Sequence, residues 1–468
     1  MSGIHEQRGR TGDEKRGPTA KEQRQRKADR GTGSSGGKTF AGFGFGPIQN
    51  ALFLYEAFRS GNFARFAVLD VDRELIDAVR GNGGRYTVNI ARPDRIDRET
   101  VEGIELFDSR NPAEARSFIE AVGESDELCT ALPSVAVYTA GDESSVANLL
   151  AAGLSARVGT PRQSLPTVVY TAENNNRAAE ILAGHLEGRV PASVWDNVQL
   201  LNTVIGKMSG VITDPAAIER LGLAPLTPGF KRAVLVEEFN RILVSRIDLP
   251  GYRRGIEVFV EKDELLPFEE AKLYGHNAIH ALIGYLADLK GYETIAEAGT
   301  DVWIMATARK AFIEESGSAL IRRHASKRDP LFTSQGYREY AEDLLRRMTN
   351  PHLNDRVERV GRDHPRKLGI DDRLYGTMTL ALEQELEPKE LALGAAAGIV
   401  SMIRRKDSLA SVPRYLPTST ADLSGDAVRR LLWPLWGESE QRRRFGEALV
   451  HYTVEGLRRL RDADLLGP

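Results

Sequence analysis

Residues 39–58, TFAGFGFGPIQNALFLYEAF, decide the fold. They pass from a short apolar run through a glycine-rich turn into apolar residues at helical spacing. Such a strand, loop and helix start can hold a dinucleotide pyrophosphate: Gly42 permits the tight turn, Gly44 lets the backbone come close, and the helix N-terminus offers free N–H groups. A second strand, RFAVLDVD, ends in Asp70. A carboxylate there can accept hydrogen bonds from an adenosine ribose and disfavours a 2′-phosphate, so NAD is expected over NADP. Two departures from G-x-G-x-x-G stand out: Pro47 occupies the third glycine position, and Asp70 lies 28 residues after Gly42 rather than about 20. Proline suits a first helical turn, but its ring fills space that glycine leaves for helix–strand packing. On the motif alone, an ordinary strand-to-helix turn with glycines stays open beside nucleotide binding.

The segments that follow extend the alternation. ELCTALP, TVVYTAEN and AVLVEEF are short β-rich runs, separated by helical stretches such as SSVANLLAAGL and NRAAEILAGHL. This implies a mostly parallel sheet covered on both faces. Thr130, in the first of these runs, is expected to be a further cofactor-binding residue. After about Pro250 nearly every segment has helical period, as in EEAKLYGHNAIH, SQGYREYAEDLLRRM and KELALGAAAGIVSMIRR. The expected organisation is a basic disordered tail over residues 1–38, an α/β Rossmann-type domain over 39–249 and a mostly α-helical domain over 250–468. The tract DSLASVPRYLPTSTADLSGD reads as an excursion before the last helices.

Composition narrows the function classes. The chain has 468 residues, 41% hydrophobic content and a formal net charge of -3, which suits a globular protein of two domains. No apolar run reaches the roughly 18 residues of a membrane span, and the N-terminus has no apolar signal core, so a cytoplasmic location is expected. The single cysteine, Cys129, excludes an internal disulfide framework, and the eight histidines show no metal-ligand spacing. No metal is expected. Residues 1–38 carry ten Lys/Arg against five Asp/Glu and almost no large apolar side chain, too little to offset ordering entropy. A basic tail of this kind can touch nucleic acid or an acidic partner, with a merely solubilising tail the favoured reading; the folded body gives no reason to expect nucleic acid.

One polar cluster interrupts the helical half. In AKLYGHNAIH, at about 100° per residue, Asn277 projects about 140° from Lys272 and His280 about 80°, so the three share one side. A solvated helix end would look the same, but the next residues, ALIGYLADL, read as a core helix, and a polar cluster leading into one needs partners. His276 shares that side and reads as packing.

Taken together, ENNNR, KLYGHNAIH, KAFIEESGSALIRRH and NPHLNDRVERVGRDHPRKLGIDDRL resemble the polyol-specific long-chain dehydrogenases, the mannitol dehydrogenase family, and within it the mannitol-1-phosphate 5-dehydrogenase branch. The resemblance covers residues 39–405 and is strongest over 272–374. It implies an NAD-dependent oxidoreductase interconverting mannitol 1-phosphate and fructose 6-phosphate. The family pattern K-x4-N-x2-H implies Lys272 as general acid/base, Asn277 holding the reacting oxygen and His280 binding a substrate hydroxyl. Asn174, in AEN, matches the asparagine that completes the oxyanion site. The chemistry agrees: oxidising a secondary alcohol by hydride transfer needs a base for the hydroxyl proton and donors for the developing oxyanion.

Substrate charge is read from VERVGRDHPRKLGIDDRL, which concentrates Arg359, Arg362, Arg366, Lys367 and Arg373. Guanidinium forks suit phosphate oxygens, although internal ion pairs with Glu358, Asp371 and Asp372 would give the same run. The resemblance points to Arg366 and Lys367 as phosphate ligands. Besides Pro47, the chain departs from the family near MSGVITD, where Ser209 and Gly210 replace a usual charged pair, and in an extra stretch, EKDELLPFEE. Another polyol, polyol phosphate or sugar acid is therefore an alternative substrate, and a non-catalytic nucleotide- or sugar-phosphate-binding descendant is an alternative class.

Overall fold

The structure, a computed structural model, describes residues 37–409 and 412–466. The expected tail lies outside them through residue 36, and Lys38 already opens the first strand.

Among the described residues twelve strands form two sheets. In chain order they are β1 (Lys38–Phe43), β2 (Phe63–Asp70), β3 (Tyr86–Ala91), β4 (Ile96–Val101), β5 (Ile104–Asp108), β6 (Glu127–Thr130), β7 (Thr167–Thr171), β8 (Val198–Val204), β9 (Ser209–Ile212), β10 (Ala233–Glu237), β11 (Leu243–Ser245) and β12 (Val260–Lys262). The larger sheet runs β12-β11-β8-β7-β6-β1-β2-β5, and all its pairings from β8 to β5 are parallel. Parallel strands need crossovers that cover both faces, and β1 shows it: Phe40 joins one apolar cluster, Ala41 and Phe43 the other. Between β1 and β6 the strand order reverses. Their carboxyl ends therefore flank the crevice where open α/β sheets bind ligands.

AVLVEEF does not belong to that sheet, contrary to the sequence reading. It is β10, at the centre of a second sheet of order β4-β3-β10-β9, whose outer pairs are antiparallel. All five residues of β10 are buried, and a buried apolar run has the same pattern in either sheet. The larger sheet also continues past the expected boundary at residue 250, because β12 adds to its edge.

The helical half packs around two buried helices, Ala278–Leu289 and Lys389–Arg404. They approach closely: a Cβ at Gly394 would come within 2.8 Å of Leu282, and one at Gly398 within 2.9 Å of Tyr285. The Ala- and Gly-rich sequence of the second helix is what that approach demands. The long helix Glu440–Asp462 closes the outer side, and no helix among the described residues is long and apolar enough to cross a membrane.

Candidate active site

Lys272 lies on a wide helical turn. Residues Ala271–Asn277 are π-helical, between a short α-helix, Leu266–Glu270, and the core helix Ala278–Leu289. Bonding of the i→i+5 type displaces side chains from the α-helical spacing read off the sequence, and such turns recur at functional sites. Neighbouring groups support it. The Tyr274 carbonyl accepts from the hydroxyls of Ser316 at 2.8 Å and Thr377 at 3.1 Å, and the Ala271 carbonyl accepts from Tyr340 at 3.3 Å. A Cβ at Gly275 would stand 2.7 Å from the Tyr337 hydroxyl, so only glycine allows this approach.

The Lys272 ammonium donates to Oδ1 of Asn174, beyond the carboxyl end of β7, at 3.3 Å. Both line a cavity of about 400 Å³ together with Asn277, Glu269, Arg366 and Arg373. Burial drives the Lys272 ammonium down to about 8, with Glu269 opposing the drop and Arg373 assisting it. Glu269 in turn is pushed up to about 7 by burial and by Glu180, against the pull of Lys272. Two groups that titrate near neutrality thus share one wall.

Asn174 is positioned from behind by its neighbour Glu173. This buried carboxylate accepts from the Thr130 hydroxyl and the Leu132 N–H, each at 3.0 Å, and from the Tyr138 hydroxyl. Burial raises it above the ordinary carboxylate range while those donors hold it back. The Thr130 side chain, expected at the cofactor, is spent on this contact.

The other expected groups separate. Of the two phosphate candidates, Arg366 lines the cavity, but its guanidinium donates to Asp363 and, at 3.0 Å, to Asp372. Lys367 is buried and turned inward, its ammonium donating to the Val360 carbonyl at 2.6 Å. His280 stands on the core helix with Nε2 at 2.8 Å from Asp355 Oδ2. Burial works to raise the Asp355 carboxyl, but His280 and Arg359 prevail and hold it below the usual range. His276 is 6% exposed, and burial with the surrounding cations lowers it well below 6.5, which suits a neutral packing residue. Asp355 also lines a second cavity, of about 500 Å³, between β9 and the arginine-rich segment 356–362. Sequence reasoning missed Glu269 and Asp355; the three-residue spacing of Glu269 from Lys272 was the available signal.

The glycine loop meets the same edge of the sheet. Gly44 has φ +83°, and a Cβ on it would lie 2.7 Å from the Ala131 carbonyl, so the close approach at the β1–β6 switch depends on glycine. Gly42 faces the helix: the buried Gln49 amide fills the place where a side chain would be, 1.7 Å from a Cβ built there. Asp70 ends β2 and accepts from the N–H groups of Phe45 at 2.6 Å, Val71 at 2.7 Å and Asp72 at 2.8 Å. It ties the loop to the strand. With room for about four accepted bonds, a carboxylate so engaged keeps roughly one for a ribose hydroxyl. The open side of Gly46 and the reversal of strand order fit a pyrophosphate passing here.

Comparison with known proteins agrees with this layout. Residues 264–411 match the family described as Mannitol dehydrogenase C-terminal domain. In fold, the chain is similar to Pseudomonas fluorescens mannitol 2-dehydrogenase, solved as a ternary complex with NAD and D-mannitol: TM-score 0.66, 17% identity, covering 92% of this chain and 93% of that one. It is also similar to a D-sorbitol dehydrogenase in substrate-free form, with TM-score 0.71, 13% identity and coverage of 92% and 94%. Residues 264–411 thus carry the sequence pattern of the mannitol dehydrogenase C-terminal domain, behind an α/β fold arranged as in these two structures.

Proposed function

We propose that this chain is an NAD-dependent polyol dehydrogenase of the mannitol dehydrogenase family, with Lys272 as its general acid/base. The observation that carries the reading is the half-buried Lys272 ammonium, brought down to about 8, beside Asn174 at the same edge of the sheet as the glycine loop. A secondary alcohol entering between Lys272 and Asn174 gives its hydroxyl proton to the neutral amine. The amides of Asn174 and Asn277 hold the oxygen as it becomes a carbonyl. NAD, when bound, accepts the hydride. His280, kept in orientation by Asp355, offers its ring to a further substrate hydroxyl. The domain match and the fold of the two dehydrogenases support the class of reaction. For the substrate, the reading is mannitol 1-phosphate with fructose 6-phosphate as its oxidised partner, supported by the arginines that segment 356–373 supplies to both cavities.

The test is loss of NADH absorbance with fructose 6-phosphate and then with fructose. Turnover of either supports the dehydrogenase, and a preference for the phosphorylated sugar supports the finer reading. Inertness toward both, and toward other ketoses and keto acids, refutes the proposal.

A further inference from the structure

We infer that the second cavity is a subsite for an anionic group, phosphate or carboxylate, at the far end of the sugar that reacts at Lys272. This rests on the dehydrogenase reading and adds the place and charge of the substrate's other end. Arg356, Arg359 and Arg362 all line the cavity of about 500 Å³. Arg359 is held by Asp355 at 2.6 Å, and Arg356 pairs with the exposed Glu293 at 3.2 Å. Arg362 is exposed, and its guanidinium has no hydrogen bond or ion pair among the described residues. A planar fork left free beside two further guanidinium groups is built for the paired oxygens of a phosphate or carboxylate.

The first cavity offers less. Arg366 and Arg373 both donate to Asp372, Arg366 also donates to Asp363, and Lys367 caps a backbone carbonyl. All three cations are thus engaged, the two arginines by carboxylates and Lys367 by the backbone. In the second cavity the carboxylates are Asp355 and Glu358, and Asp355 is taken by His280 and Arg359.

The wall opposite the arginines is open. Gly210 on β9 is paired with Leu235 on β10, and Leu235 lines the cavity. Directly opposed residues of an antiparallel pair project to the same face, so a side chain at position 210 would enter the cavity, where nothing lies within 4 Å of a Cβ. The absence of a side chain leaves space for a ligand. The two cavities are related through the helix: Asp355, on this cavity, holds His280, which follows Lys272 by eight residues on the continuous helical run through Ala271–Leu289.

The test compares the unmodified enzyme with Arg362→Ala and Gly210→Asp. The first removes the free cation; the second adds a carboxylate in open space, without steric conflict. Each is assayed for NADH-dependent reduction of fructose, fructose 6-phosphate and fructuronate, and calorimetry measures binding of inorganic phosphate. In both variants the ratio of kcat/KM for the charged sugar over free fructose should fall roughly ten- to a hundred-fold, through KM. A fall confined to fructose 6-phosphate identifies a phosphate subsite, and one confined to fructuronate a carboxylate subsite. Equal losses on charged and free sugars, or an unchanged ratio in both variants, overturn the subsite while leaving the dehydrogenase intact. If no sugar turns over, the dehydrogenase reading fails, and the subsite is decided by calorimetry: phosphate binding weakened in both variants sustains it, whereas absent or unchanged binding overturns it.

Discussion

Replacing Glu269 with Gln should move the pH profile of polyol oxidation downward. In the proposed mechanism oxidation needs neutral Lys272, so kcat/KM should rise as pH climbs through its pKa, which burial has brought from 10.5 to about 8. That change is worth roughly 3 kcal/mol in favour of the neutral amine. It would be larger without Glu269, the carboxylate that opposes it. Residues three apart on a helix have Cβ atoms about 5–6 Å from each other. At about 6 Å and an effective dielectric of about 20, a unit pair interacts by about 3 kcal/mol, roughly two pH units. Glu269, raised to about 7, is largely ionised where Lys272 titrates, but solvent entering the open cavity screens the pair. The expected displacement is therefore about one pH unit to lower pH, with sugar reduction, which needs the ammonium, losing its high-pH activity correspondingly earlier. Initial-rate profiles in both directions measure it. A limb that stays in place or moves upward would refute the coupling between the two groups.

Three further outcomes are expected. Lys272→Ala should lower turnover by roughly 10²–10⁴-fold while NADH affinity, measured by fluorescence titration, stays within a few-fold; full activity would remove the proposed base. Asp70→Ser should narrow the preference for NADH over NADPH and also weaken both, because Asp70 holds the loop through Phe45 as well as serving, in the proposed reading, as the ribose contact; an unaltered preference would mean that Asp70 serves the loop alone. Gln49→Leu should stabilise the fold by about 1–3 kcal/mol, since Gln49 is 0% exposed and both its amide atoms lack hydrogen-bond partners among the described residues. A lower urea midpoint at unchanged slope would show instead that the amide is satisfied in solution.

The division into a sheet domain and a helical domain was legible because the two hydrophobic periods differ and change near residue 250. The assignment of strands to sheets was not. β10 is buried throughout, and its pattern says nothing about which neighbours it finds, which depends on contacts with β3 and β9 from distant parts of the chain. The glycine loop was legible for a local reason. Gly44 must adopt a positive φ and lie against Ala131, and both demands fall on one residue.

The site was legible to the extent that its groups sit on one continuous element. Lys272 and Asn277 share a helix and line one cavity, even though the π-helical turn changes the angle between them. The charge run 356–373 had no such constraint. It is divided among short turns: Arg356 lies before the helix Val357–Gly361, and Asp363 adopts φ +63° and turns the chain into the helix His364–Lys367. Successive cations consequently face different ways, with Lys367 inward to Val360, Arg366 toward the Lys272 cavity and Arg362 toward the second one. A run of like charges reports that guanidinium groups are available, and the backbone between them decides which one is left without a carboxylate. Among the described residues that one is Arg362, which is why the anionic end of a substrate is better sought in the second cavity than beside Lys272.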